Sequence, residues 1–282
     1  MTEWVAETLH SGYQQRFEVG KILFSEKTGF QDMVIFENPR FGRVLVLDGV
    51  IQTTEGDEFI YHEMMVHTPL LANGAARRVL IIGGGDGGCL REVLRHPGVD
   101  KVTMVEIDPA VVDLSKEYLP RHSDGAFDNP RTDLVIADGL KYVAESDETF
   151  DVIIVDSTDP IGPGEVLFTD AFYTDCRARL SPDGILVTQN SVPFLQPSAF
   201  KPALTRLQNI FPFSTCFAIS VPTYVGGHMT LGFSTMNAET ACVPADTLRR
   251  RFTALGIKTR YYTPDLHLGA FALPQFILDL LD

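Results

Sequence analysis

A chain of 282 residues with 45% hydrophobic and 21% charged residues has enough apolar mass for a full α/β core and a small second domain, which excludes a disordered chain. Its formal net charge of -14 repels nucleic-acid phosphates and anionic lipid and attracts cations, so neither nucleic acid nor membrane is expected as a partner. No run approaches the ~20 apolar residues of a membrane span.

Residues 1–7 carry acids where a secretory leader carries basic residues, which points to the cytoplasm. The four cysteines, Cys89, Cys176, Cys216 and Cys242, are widely spaced without a C-x-x-C pair. They read as reduced, buried thiols rather than a disulfide framework or zinc knuckle.

Up to about residue 70 the texture is short strands split by turns. Phe17-Glu18-Val19 and Ile22-Leu23-Phe24 flank Gly20-Lys21, and Met33-Val34-Ile35-Phe36 precedes Asn38-Pro39. Arg43-Val44-Leu45-Val46-Leu47 runs into Asp48-Gly49, a hairpin signal. A helix over residues 58–71 leads out of this region. Residues 1–70 are therefore assigned to a small β domain and residues 71–282 to a larger catalytic domain.

Beyond Arg77 apolar runs alternate with helical stretches. The runs are Val79-Leu80-Ile81-Ile82, Val102-Thr103-Met104-Val105, Leu134-Val135-Ile136, Val152-Ile153-Ile154-Val155 and Ile185-Leu186-Val187-Thr188. Continuous apolar strands each followed by a helix imply a parallel sheet covered on both faces. Residues 215–221 and 229–235, joined across Pro222-Thr223-Tyr224-Val225-Gly226-Gly227, predict an antiparallel hairpin closing one edge. The predicted fold is α/β, a Rossmann-like sheet of the class I methyltransferase type.

In such sheets ligands bind beyond the carboxyl ends of the strands. The first run ends in Gly83-Gly84-Gly85-Asp86-Gly87-Gly88, the second in Glu106-Ile107-Asp108, the third in Asp138-Gly139, and the fourth in Asp156-Ser157-Thr158-Asp159-Pro160. Each of these four ends delivers a carboxylate. Gly83, Gly85 and Gly88 satisfy G-x-G-x-x-G, and Glu106 falls where a ribose-binding acid belongs, so a nucleoside site is expected. Asp86 inside the glycine loop would repel a pyrophosphate, whereas adenosine joined to a cation suits it. The carboxylate tail of S-adenosylmethionine costs Coulomb energy beside Asp86 and Asp156, and the decarboxylated sulfonium lacks that tail. An amine acceptor is drawn by the same negative rim.

These residues carry a resemblance. The whole chain resembles bacterial spermidine synthases, from Trp4 to Ala272-Leu273-Pro274-Gln275. Its signatures are Gln31, the run from Leu47-Asp48-Gly49 through Gln52 to Glu55, Asp57-Glu58-Phe59-Ile60-Tyr61-His62-Glu63, the glycine loop with Asp86, Val105-Glu106-Ile107-Asp108, the Asp156 to Pro163 segment, and Pro222-Thr223-Tyr224. The resemblance implies transfer of an aminopropyl group from decarboxylated S-adenosylmethionine, a co-substrate, to putrescine, with no resident cofactor and no metal. It implies that Glu106 holds the ribose and Asp138-Gly139 the adenine edge, with Gln31 and Pro163 lining the nucleoside site. It assigns His62, Asp86 and Asp159 to polyamine or aminopropyl binding, Tyr61, Gln52 and Tyr224 to the channel, and Asp156 to proton acceptance. It also implies a homodimer or homotetramer with the β domain near the interface. Gln189-Asn190-Ser191-Val192 departs from the glutamate many relatives carry there, which touches acceptor length.

An alkyl amine of pKa near ~10.4 is mostly protonated at neutral pH, and neighbouring carboxylates make that worse. The work therefore divides: Asp159 and other distal acids anchor the far ammonium, and Asp156 takes the proton of the attacking end as the C–N bond forms. The rate is expected to rise toward alkaline pH, and the Pro/Gly-rich stretch after Asp159 is expected to close over substrates. His62-Glu63-Met64-Met65-Val66-His67 is H-E-x-x-x-H, whose histidines lie on different helix faces and cannot share one metal. On the residues alone, His62 reads as a structural helix residue, Tyr61 and Tyr224 as core aromatics, and the acids as a weak Ca²⁺ or Mg²⁺ candidate. Trp4 is assigned to packing between the small domain and its neighbour, and Cys89 to inert packing. Rival functions are transfer to cadaverine, agmatine or spermidine, methylation of putrescine, and polyamine binding without catalysis.

Overall fold

A computed structural model describes residues 2–158 and 162–281. The N-terminal hairpin pairs β1 (Glu3–His10) with β2 (Tyr13–Val19), and a four-stranded antiparallel sheet follows as β3 (Lys21–Lys27), β4 (Asp32–Asn38), β5 (Gly42–Leu47) and β6 (Val50–Thr54). Asp48 and Gly49 form the two-residue turn between β5 and β6 with φ of 48° and 79°. Positive φ at both positions matches the twist of the flanking strands, which is what the Asp-Gly pair announces. β1 was not expected. Its pattern is poor because its inward-facing residue at position 7 is a glutamate, whose Oε2 accepts from Ile51 N at 2.8 Å.

α1 (Glu58–Asn73) is buried along residues 60–72. It shares an apolar cluster with the inner face of the large sheet, including Val79, Ile81, Ile154 and Ile185. Gly74 ends it at φ 74°, its N–H bonding the Leu70 carbonyl at 2.8 Å, a left-handed stop that glycine adopts without strain.

The large sheet has the order β12-β13-β11-β10-β7-β8-β9. The parallel strands are β7 (Arg78–Gly83), β8 (Lys101–Glu106), β9 (Thr132–Ile136), β10 (Phe150–Asp156) and β11 (Leu180–Ser191), and β12 (Phe213–Ile219) with β13 (Met229–Thr235) forms the antiparallel edge. The expected α/β architecture with its C-terminal hairpin is therefore the observed one.

Along β7, Val79 and Ile81 face the α1 side while Leu80 and Ile82 face the layer of α5 (Gly139–Glu145), α6 (Asp170–Ala178) and α7 (Pro197–Ile210). All four are at most 1% exposed, and each such side chain contributes about 1.5–3 kcal/mol by burial. A single polar replacement there removes a large part of a domain's usual 5–15 kcal/mol stability, in order of magnitude. α2 (Gly88–Leu94) lies over the α1 face. α3 (Pro109–Tyr118), followed directly by the short α4 (Pro120–Ser123), packs Val111, beside Leu119, against Met33, Ile35, Leu45 and Leu47, docking the β domain onto the catalytic sheet.

Two expectations are corrected. Cys89, Cys176 and Cys216 are buried, but Cys242 is exposed, because it follows a short 3-10 turn at Ala238–Ala241 outside the core. Trp4 is 51% exposed on β1 opposite Glu18; within the chain it packs between no two domains, since its side of the hairpin faces outward.

Candidate active site

The strand order reverses around β7, whose neighbours are β8 and β10, and the chain ends of β7 and β10 meet there, Gly83 opposite Asp156. Gly84 N donates to the Asp156 carbonyl at 2.9 Å. A Cβ on Gly83 would lie 2.2 Å from that same oxygen, at φ +80°, so no other residue lets the backbones approach this closely. The crevice beyond is a cavity of about 190 Å³.

Eight of the predicted site residues share its wall. Gln31 and Gln52 come from the β domain, Tyr61 and His62 from α1, Asp86 from the glycine loop, Glu106 and Asp156 from the ends of β8 and β10, and Tyr224 from the β12–β13 connection. Asp138 and Gly139 stand one strand end further out and are not in that wall. Asp138 caps α5, accepting from Leu140 N at 2.9 Å, and a Cβ on Gly139 would meet Ile82 at 2.6 Å. Asp159 lies outside the described residues, as does the side chain of Pro163. The segment Gly162–Phe168 contributes Gly164 and Leu167 to the wall.

A run of opposite charges crosses the floor. His62 Nδ1 is 2.6 Å from Glu58 Oε2, its Nε2 is 3.4 Å from Asp86 Oδ2, and Arg91 reaches Glu58 Oε2 at 2.8 Å. Burial opposes charge on His62, but Asp86 and Glu58 outweigh it and raise its pKa to about 10. Burial likewise works against Glu58, yet His62 and Arg91 bring it to about 2. Asp86 is held well below the ordinary carboxylate range despite burial, by His62 and by the Gly88 N–H at 2.7 Å. The fit is close: a Cβ on Gly88 would come within 2.2 Å of the His62 ring. His62 and Asp86 are thus an ion pair.

Asp156 differs. Burial first, and then the charge of Asp86, push its pKa up, while His62 and the hydroxyl of Tyr61, which donates to Oδ1 at 2.8 Å, pull it down. Tyr61 itself stays protonated, because burial and Asp156 raise it well above its usual value. Its ring meets Tyr224 edge-on at 5.9 Å and 86°. Cys89 beside them is buried and its thiol raised by burial and by Asp156, an unreactive packing group. His62, Cys89 and Asp156 bring potential ligand atoms within 4.8 Å of one another. His62 has both ring nitrogens against carboxylates, so this arrangement serves a protonated ring rather than a metal ligand.

At the end of β8, Glu106 is 7% exposed and raised to about 7, chiefly by burial, against the N–H groups of Asp108 and Ile107. Gln31 Nε2 and Thr28 Oγ1 donate to Asp108 Oδ2 at 3.1 and 2.7 Å, and Asp108 Oδ1 caps α3 through Ala110 N. The β domain is thereby pinned to the strand that carries Glu106.

The opposite end holds residues that pattern reading missed. Glu7 and His10 of β1 line the cavity beside Gln52, Gln189, Gln196 and Thr223. Glu7 Oε1 accepts from Gln15, whose Nε2 also donates to the Thr223 carbonyl at 2.7 Å. Asp57 accepts from the Thr223 N–H and hydroxyl at 2.9 and 2.8 Å, which fixes the loop bearing Tyr224. A buried acid in an otherwise alternating strand was the available signal for Glu7. The departure at Gln189 and Val192 lies in this wall too, as an amide and an alkyl group.

Two family sequence models match the chain: the spermine/spermidine synthase domain over residues 58–243, and the spermidine synthase tetramerisation domain over residues 3–55. Polyamine aminopropyltransferase 1 of Pseudomonas aeruginosa is 57% identical over 275 residues, covering 98% of this chain and 96% of its own. A crystal structure of spermidine synthase in complex with the transition-state analogue AdoDATO superposes with a TM-score of 0.94 at 36% identity, over 99% of this chain and 94% of that one. The spermidine synthase of Thermotoga maritima follows at 0.91 and 35%, with the same coverage.

Proposed function

Because the chain belongs to the spermine/spermidine synthase family, we propose that its cavity holds decarboxylated S-adenosylmethionine beside putrescine, with Asp156 as the proton acceptor. The chain is a polyamine aminopropyltransferase, and the decarboxylated sulfonium is a co-substrate of that reaction rather than a resident cofactor. The observation that carries the assignment of Asp156 is its position: half-buried at the switch point, bonded by Tyr61, and next to an acid whose charge His62 already matches.

In this reading Glu106 accepts from the ribose hydroxyls and Gln31 lines the nucleoside end, with Asp138-Gly139 and Pro163 bordering the adenine. His62 and Asp86 flank the aminopropyl group, and Asp86 retains oxygens that can accept from its ammonium. Gln52, Tyr61 and Tyr224 form the channel, and Glu7 joins Asp159 in holding the far ammonium of the acceptor. The attacking nitrogen displaces the neutral thioether at the aminopropyl methylene, the C–S electrons leave on methylthioadenosine, and the proton passes to Asp156. No helix among the described residues is long and apolar enough to cross a membrane, and we place the enzyme in the cytoplasm. The assembly is a homodimer or a homotetramer, with residues 3–55 in contact between copies. We assign residues 1–70 to the small β domain and residues 71–282 to the catalytic domain.

The test offers the protein decarboxylated or intact S-adenosylmethionine with each of putrescine, cadaverine, agmatine and spermidine, followed by mass spectrometry. Spermidine and methylthioadenosine appearing in equal amounts from putrescine support the reading. Preference for another amine overturns the acceptor, methylated amine overturns the donor, and bound but unconsumed amine overturns catalysis.

A further inference from the structure

His62 and Asp86 account for two charges on the cavity floor, but the acid that sets the state of His62 lies behind it. Glu58 is one helical turn earlier on α1, is absent from the cavity wall, and receives both His62 Nδ1 and Arg91 at 2.6 and 2.8 Å on the same oxygen. Arg91 is fixed in turn by Glu92 at 2.8 Å and by the carbonyls of Arg121 and His122. Asp86, His62, Glu58 and Arg91 therefore alternate in charge, and Glu92, shared with Arg95, continues the run beyond Arg91.

We propose that Glu58 is a positioning residue whose charge, held by Arg91, keeps His62 an imidazolium against Asp86 and so leaves Asp156 able to lose its proton. The inference rests on Asp156 being the acceptor in the proposed reaction. The groups that face His62 are Glu58 and Tyr61 on α1, Asp86 on the glycine loop, Cys89 and Arg91 on α2, Asp156 on β10, and His122, whose ring centre is 6.1 Å away. His122 is itself held low by burial, and its Nε2 meets Thr53 Oγ1 at 2.9 Å, so it supplies no competing cation. Without the charge of Glu58, His62 loses its proton at a lower pH. The charge of Asp86 then acts unmatched on Asp156, which keeps its own proton to higher pH. A carboxylate within hydrogen-bond reach typically moves a neighbour by about 1–3 pH units.

The experiment is a ¹⁵N histidine titration of the wild type and Glu58→Gln, run beside pH–rate profiles with decarboxylated S-adenosylmethionine and putrescine. The His62 signal is identified by its loss in His62→Gln. Wild-type His62 is expected to remain an imidazolium through about pH 9 and to titrate at least ~1 unit lower in Glu58→Gln. At pH values where His62 is neutral in the variant but still charged in the wild type, kcat of the variant should fall below that of the wild type, while the KM for the donor does not rise. Glu58→Asp, which keeps the charge, should recover most of both. Wild-type His62 titrating near 6.5, or a variant whose kcat follows that of the wild type where its own His62 is neutral, overturns the proposal. Should Glu58→Gln fail to fold, the wild-type titration carries the test, and a His62 that loses its proton near 6.5 overturns the proposal. If the wild type transfers no aminopropyl group, the proposed function fails, while the histidine titration still reports on the clamp.

Discussion

Tyr61→Phe removes one atom from the site and tests the role of Asp156 directly. The lost hydroxyl donates to Asp156 at 2.8 Å, from a buried tyrosine to a half-buried carboxylate, and a hydrogen bond to a charged group is worth about 1.5–3 kcal/mol. Since the bond favours the ionised carboxylate, its loss raises a pKa that burial and Asp86 have already raised. Fewer molecules then hold a proton-accepting Asp156 at a given pH below the limb, and the energy corresponds to a roughly ten- to 150-fold slower transfer there. The edge-on contact with Tyr224 survives in phenylalanine, so the fold and the channel persist. Single-turnover release of methylthioadenosine, followed across about pH 6 to 10, isolates chemistry from product release. The wild-type rate should rise toward alkaline pH, and the variant should show the same rise displaced upward. Tyr224→Phe is the control, because that hydroxyl donates to the Gln52 carbonyl and its loss should leave the limb in place. Superimposable profiles for Tyr61→Phe and wild type would refute the reasoning, as would a pure increase in donor KM at unchanged kcat.

Asp156→Asn should lower turnover by about 10²- to 10⁴-fold while leaving donor affinity by calorimetry nearly intact. Because burial and Asp86 raise the folded pKa of Asp156, its ionisation opposes folding as pH climbs above the ordinary carboxylate value. Thermal melts at neutral pH should therefore show the variant at least as stable as wild type; a marked fall in Tm would assign Asp156 a structural role. Glu106 titrates at about 7, so donor affinity should strengthen as pH rises through 7, when the ionised carboxylate accepts from the ribose. Glu106→Gln should flatten that dependence and weaken donor binding about tenfold, and an undiminished pH dependence would remove Glu106 from the ribose site. The same raised pKa means that wild-type stability contributed by Glu106 is lost between its ordinary value of 4.5 and about 7, a decline that Tm measured in the glutamine variant should lack.

What the amino-acid order determined by itself was everything written in short-range pattern. Runs such as Val152-Ile153-Ile154-Val155 are continuous because both faces of that strand are covered, and such a run reads as a buried parallel strand without reference to its neighbours. The carboxylates at strand tips were legible for the same reason, since a parallel strand ends where its apolar run stops. The family signatures added residues, such as Tyr61 and Gln52, that periodicity treats as ordinary core or surface. Tertiary structure alone decided the rest. It turned the hairpin of β1 and β2 so that Glu7 faces a cavity 44 residues of sequence away from its partner Ile51, and it left Cys242 and Trp4 outside the core. It also placed His62 between two carboxylates and raised the pKa of Asp156, although the sequence shows only a histidine and one acid among many. Charge state depends on burial and on distances of a few ångströms between groups brought together by folding, and no local spacing encodes those distances.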